Sequence, residues 1–168
     1  MRGPAGVPVG TLKRIIISNV VSHNSDSQLG GAGLISGIPD YPIEDVKIND
    51  LYMDHRGGGT KEMAQRQVPE MENGYPEPRN FGDISASGFY VRHVKNIEFT
   101  NVEIVALQSD ARPVFVLEHV NDAEFFRVKT PKDSGVPVFF LNDVQDFRVS
   151  ASRNVKDTHL DHVEQKQL

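Results

Sequence analysis

The chain has 168 residues, a formal net charge of −5 and no cysteine, which bounds it to one domain with a real core and excludes disulfides and thiolate metal ligands. Its 18 lysines and arginines are spread too thinly to leave an electrostatic footprint for nucleic acid. No run approaches the roughly 20 apolar residues of a membrane helix and MRGPAGVPVG has no long apolar core, so neither a membrane partner nor a signal peptide is expected.

Residues 1–11 read as a lead-in or cap. A small pattern then begins, with apolar residues at offsets 0, 3, 5 and 8: Leu12, Ile15, Ile17 and Val20. It recurs as Ile43, Val46, Ile48 and Leu51, as Val94, Ile97, Phe99 and Val102, and as Val120, Ala123, Phe125 and Val128. A last copy, Val144, Phe147 and Val149, fails only at Ser152. Nineteen apolar residues in twenty register positions, in a chain that is 38% hydrophobic, is a repeat. The starts at 12, 43, 94, 120 and 144 imply a unit of about 25 residues, the length of a solenoid coil.

Offsets 3 and 5 lie on one face of a strand. Offset 7 is Asn19, Asp50 and Asn101 in the first copies, residue types that tolerate the left-handed backbone of a sharp bend. Further β-rich runs precede the last three copies: Phe89-Tyr90-Val91, 114–117 and 138–141. Three short strands per coil describe an all-β chain, a right-handed parallel β-helix of about five or six coils with one long inserted loop. A leucine-rich repeat fits less well, because it wants Asn at offset 8 and one strand per unit. The insertion is 54–86, with Gly57, Gly58 and Gly59 and a short helix expected over 61–65. The polar stretch 153–168, anchored by Leu160, Val163 and Leu168, reads as a closing cap.

Several stretches resemble the polygalacturonase-like enzymes of glycoside hydrolase family 28: ISGIPDYPIEDVKINDLYMDHRGGGT, VPEMENGYPEPRNFG, GFYVRHVKNIEFTNVEI and SDARPVFVLEHVNDAEFFRV. The likeness runs from about Val9 to the end, to the C-terminal coils of bacterial members. It implies a pectin-type polysaccharide as substrate, no cofactor, and a secreted or periplasmic setting. The family's Asn-Thr-Asp, Asp-Asp, Gly-His-Gly and Arg-Ile-Lys motifs do not occur in this sequence. Inverting hydrolysis needs a carboxylic acid and a carboxylate flanking the scissile bond. The chain alone is therefore expected to be inactive, and no residue is assigned a catalytic role. The alternative is a non-catalytic module that binds carbohydrate or self-assembles.

Candidate contacts follow from the strand register. Phe89, Phe115 and Phe139 should stack inside, leaving Tyr90, Val116 and Phe140 as an outward ladder. Such a ladder needs a sugar face, with Arg92 holding a uronate carboxylate, or else a cover from the 54–86 loop or another chain. Arg92 and Glu118 sit in equivalent positions, so an exposed ion pair is expected. From the loop, Tyr75, Glu77, Arg56 and Arg79 are the candidate sugar contacts, although six acids against four bases leave the segment at net −2. Glu70, Glu72 and Glu77 are the acids a full hydrolase would have to use. His93, His119 and Asp143 align at coil spacing, where solvated turn residues are the favoured reading over a metal site. An open coil end or the outward ladder predicts a homo-oligomer, dimer or trimer.

Overall fold

A computed structural model of the chain describes residues 6, 8–25, 32–75, 77–132 and 135–168. It is all-β and solenoid-like, with one seven-stranded, mostly parallel sheet. The strands are β1 (Lys13–Ser25), β2 (Gly33–Ser36), β3 (Ile43–His55), β4 (Phe89–Ala106), β5 (Phe115–Phe126), β6 (Phe139–Ser150) and β7 (Thr158–Gln167). Their order is β1-β3-β4-β5-β6-β7, with β2 beside the first part of β4. Every pairing is parallel except the last, where β7 runs antiparallel to β6. Among the described residues no helix is long and apolar enough to cross a membrane.

The register places the sequence repeat on itself. Offset 3 forms the rung Ile15, Val46, Ile97, Ala123, Phe147, and offset 5 the rung Ile17, Ile48, Phe99, Phe125, Val149. Phe99 and Phe125 stack with centroids 4.8 Å apart and planes 5° from parallel. A second column, Phe89, Phe115 and Phe139, meets the first edge-on, as between Phe125 and Phe139 at 4.7 Å. Like residues at like offsets therefore build continuous aromatic columns, each ring in offset or edge contact with its neighbours.

The strands are longer than the sequence pattern suggests, because pairing continues through the bends. Offset 7 is left-handed in all five copies: Asn19, Asp50, Asn101, Arg127 and Ala151. Offset 2 is left-handed as well, at Arg14, Asp45, Asn96, Asp122 and Asp146, a second bend that the apolar pattern did not reveal. Such backbone costs about 1–2 kcal/mol per non-glycine residue. Part of that is offset by ladder bonds between bends: Asn96 Nδ2 donates to Asp45 Oδ1 at 2.9 Å, and Asn101 Nδ2 to Asp50 Oδ1 at 3.0 Å. The break in pattern at Ser152 has its own cause. Its hydroxyl accepts from Val128 N and donates to Ser150 O.

The two ends of the stack differ. At one end β7 lies over β6, pairing Val163 with Val144 and Leu160 with Phe147, and Leu160, Val163 and Leu168 pack against the core. At the other end β1 is an edge strand. There Ile17 is 41% exposed, whereas Ile48 beside it is 1% exposed, and Ile16 and Val21 are largely exposed. The expectation that the first residues fold over this end falls mainly outside the described residues.

The segment between β3 and β4 carries α1 (Lys61–Ala64), N-capped by the Thr60 hydroxyl, and a second helix, α2 (Pro78–Phe81), which was not foreseen. Of the three glycines before α1, Gly57 and Gly59 are there for close approach, and Gly58 for its φ of +81°. A Cβ on Gly57 would lie 2.1 Å from Gln108 O, and one on Gly59 would lie 2.2 Å from Arg112 Nε. Gly58 N donates to Ser109 O, and Gly59 N to Asp110 Oδ2. The GGGT motif thus binds the insertion to the 107–112 turn of the next coil.

Candidate functional site

Strand alternation does point Tyr90, Val116 and Phe140 away from the aromatic columns, but they do not form an exposed platform. Tyr90 and Val116 are buried beneath Val68, Phe81, Ile84 and Ala86 of the insertion, and Phe140 is half-buried at the margin. The cause is the insertion's own apolar residues, which gain more by covering this face than by remaining in water. Tyr90 is thereby removed as a sugar contact. Its hydroxyl donates to Glu118, and burial, then that bond, pushes its pKa up.

Arg92 is likewise committed. Its Nη1 donates to Val68 O at 2.7 Å and its Nη2 to Pro69 O at 2.8 Å, while Nε lies 3.4 Å from Glu70 Oε2. The guanidinium sits 5.4 Å from the Tyr90 ring centroid, within cation–π range. Glu118 registers against Arg92 but bonds to Tyr90, so the expected Arg92–Glu118 ion pair gives way to a clamp on the insertion.

The remaining candidates are scattered. Tyr75 is exposed, and its carbonyl accepts from Glu77 N and Asn80 Nδ2. Glu77 precedes α2 with its carboxylate 3.7 Å from Arg79 Nε, both side chains well exposed. Arg56 is exposed beside the glycine turn, and Glu72 is exposed too. Of the loop acids, Glu70 is held by His93 and Arg92.

What the fold does bring together is a groove of about 620 Å³ that the sequence did not announce. One wall is α1 and the chain after it, with Lys61, Gln65, Arg66 and Gln67; the other is Gln165 and Gln167 of β7 with the 135–137 turn. Glu118, Phe140 and Asn142 form the floor. Arg66 is occupied structurally, donating to Phe81 O and Asp83 O. The one signal that could have found this groove is register: Asn142 follows Arg92 and Glu118 in the same rung, and Gln165 and Gln167 alternate onto one strand face.

Side-chain amides both donate and accept, which suits hydroxyl-rich ligands, and Phe140 supplies an apolar face. Glu118 is the groove's single carboxylate among the described residues. A two-carboxylate hydrolysis has no pair to use there. His93 and His119 lie ring on ring, 5.1 Å apart and 5° from parallel, so their nitrogens do not converge on a common point. Among the described residues, no group of three or more His, Asp or Glu has metal-holding geometry.

Fold and groove together define an all-β, mostly parallel, solenoid-like protein with an amide-lined groove between an insertion and a closing strand. Compared with protein-family models, with curated proteins and with solved structures, the chain matches none.

Proposed function

We propose that the chain is a right-handed parallel β-helix of the polygalacturonase-like kind. In this reading it binds a pectin-type polysaccharide in the groove between the insertion and β7, and does not hydrolyse it alone. The observation that carries the reading is the groove's lining: amides on both walls, one aromatic ring and one carboxylate already bonded to Tyr90. Handedness is supported by the parallel stacking, since connections between parallel strands of one sheet are right-handed in about 98% of cases. The polygalacturonase-like motifs around the GGGT turn and the YPEPRNFG stretch support the ligand class.

The test is titration of pectic oligosaccharides followed by amide chemical shifts. Binding should perturb Gln65, Asn142 and Gln165, and a Gln165→Ala/Gln167→Ala double variant should bind about tenfold more weakly, as expected for two lost hydrogen bonds. Unaltered affinity in that variant sinks the groove assignment. Reducing-end release that disappears in Glu118→Gln would replace binding with catalysis.

A second reading, self-association, is favoured by β1. Among the described residues no strand pairs with its outer edge, and Leu12, Ile16 and Val21 are exposed there, the features of a strand edge open to another copy. Light scattering of the chain and of Ile16→Lys/Val21→Lys tests it. A monomer in both cases removes this reading.

A further inference from the structure

At each of the last three coils the residue before offset 0 is left-handed, at φ of 50° for His93, 53° for His119 and 50° for Asp143. These bends align their side chains in a row. Glu70 of the insertion reaches His93 Nε2 at 3.0 Å, His93 stacks on His119, and His119 Nδ1 meets Asp143 Oδ2 at 2.8 Å. Asp143 Oδ1 is then 3.7 Å from His162 Nε2 on β7. Next to this row, Asp146 of β6 takes His159 of β7 at 3.1 Å and Arg148, and Asp161 lies 3.5 Å from His159.

The row begins and ends on the two segments that supply the groove's walls. Glu70 lies three residues after Gln67, and His162 three residues before Gln165. Between them, His119 and Asp143 directly follow the floor residues Glu118 and Asn142. We propose that this histidine–carboxylate ladder is a pH-sensitive clamp that ties the insertion and β7 to the coils between them, holding under mildly acidic conditions and loosening under alkaline ones.

The charges support that direction. With all three imidazoles neutral, the row and the groups bonded beside it hold one cation, Arg92, and three carboxylates, Glu70, Glu118 and Asp143, a local charge of −2. Two imidazoles can therefore take up protons before the row turns positive. Histidine is the side-chain type whose charge changes between about pH 5 and 8. Protonation converts the His93–Glu70 and His119–Asp143 contacts into charge-assisted hydrogen bonds, the stronger kind. The mutual repulsion of two stacked imidazolium rings is countered at each end by a carboxylate. The consequence for ligand affinity rests on the groove reading above; the clamp itself does not.

The test is hydrogen exchange without ligand, corrected for intrinsic pH dependence, at pH 5.5 and 8.0. Amides of 68–71 and 158–167 should exchange about two- to fivefold faster at the higher pH, the range for partly exposed ion pairs. His93→Gln should abolish the difference in 68–71, and a His159→Gln/His162→Gln double variant that in 158–167, with far-ultraviolet dichroism confirming the fold of each. Equal protection at the two pH values, or a difference that survives both variants, overturns the clamp. A pH difference in exchange with no saccharide binding at either pH supports the clamp and removes the groove reading instead.

Discussion

Arg92 Nη1 donates to the carbonyl oxygen of Val68 at 2.7 Å, across 24 residues of sequence. With the companion bond to Pro69, this contact seats the insertion on the β4–β6 face and buries Tyr90. Replacement by Ala leaves two backbone oxygens without that donor, so Arg92→Ala should cost about 2–4 kcal/mol. Urea unfolding measures the loss, and limited proteolysis should cut within 60–80 in the variant before it cuts the parent chain. Equal protease resistance in the two proteins would contradict the seating role.

Asp110 and Arg112 form a buried pair, with Nη2 and Oδ2 2.7 Å apart and both side chains almost fully enclosed. Burial alone would raise the Asp110 pKa, but hydrogen bonds from Arg112 and from Gly59 N hold it below the ordinary carboxylate value. A depressed carboxylate contributes stability that is present above its unfolded pKa and lost as pH falls through the folded value. The melting temperature should therefore fall as pH drops below about 4, and less steeply in Asp110→Asn. At neutral pH that variant leaves a buried guanidinium without its counter-charge and should lose about 3–5 kcal/mol. Calorimetry across pH 3–7 reads both effects.

Phe125 lies at the crossing of the two aromatic columns, in contact with Phe99, Phe115, Phe139 and Phe147. Phe125→Ala should cost about 3–5 kcal/mol through lost transfer energy and a residual cavity. Its neighbour Phe126 points outward and is exposed. Phe126→Ala should change stability by less than about 1 kcal/mol. Chemical denaturation of the pair separates core from surface within one strand, and similar losses would mean that the strand's register is different.

Gly57 combines a φ of +77° with a would-be Cβ contact at 2.1 Å to backbone, whereas Gly135 has a φ of +79° and, among the described residues, nothing within 4 Å of a would-be Cβ. Gly57→Ala should lose about 2–3 kcal/mol, from strain plus displacement of the 107–112 turn. Gly135→Ala should lose only the conformational part, about 1 kcal/mol. Thermal melts of the two variants distinguish steric packing from backbone freedom, and equal shifts would deny the close approach.

Rungs of identical spacing made the solenoid-like stack legible, because each coil repeats the burial of the one before it. The interior column of Phe89, Phe115 and Phe139 could be read from register alone, and so could the bends at Asn19, Asp50 and Asn101. The bend at offset 2 carried the same signal in Asp45, Asn96, Asp122 and Asp146, and only Arg14 departs from it. The groove was hidden: Gln65, Asn142 and Gln165 are unremarkable polar residues far apart in the chain.

Periodicity by itself determined which residues face the core and that the coils stack in parallel, since a repeated apolar offset can be buried only against its own copy. Tertiary structure alone decided what happens on the outside. An aperiodic insertion chooses its resting place by the apolar residues and hydrogen-bond acceptors it brings, here Val68, Phe81 and the carbonyls that Arg92 binds. That choice covered Tyr90 and Arg92, and it moved the groove to the gap between the insertion and the antiparallel β7, whose direction no local pattern encodes.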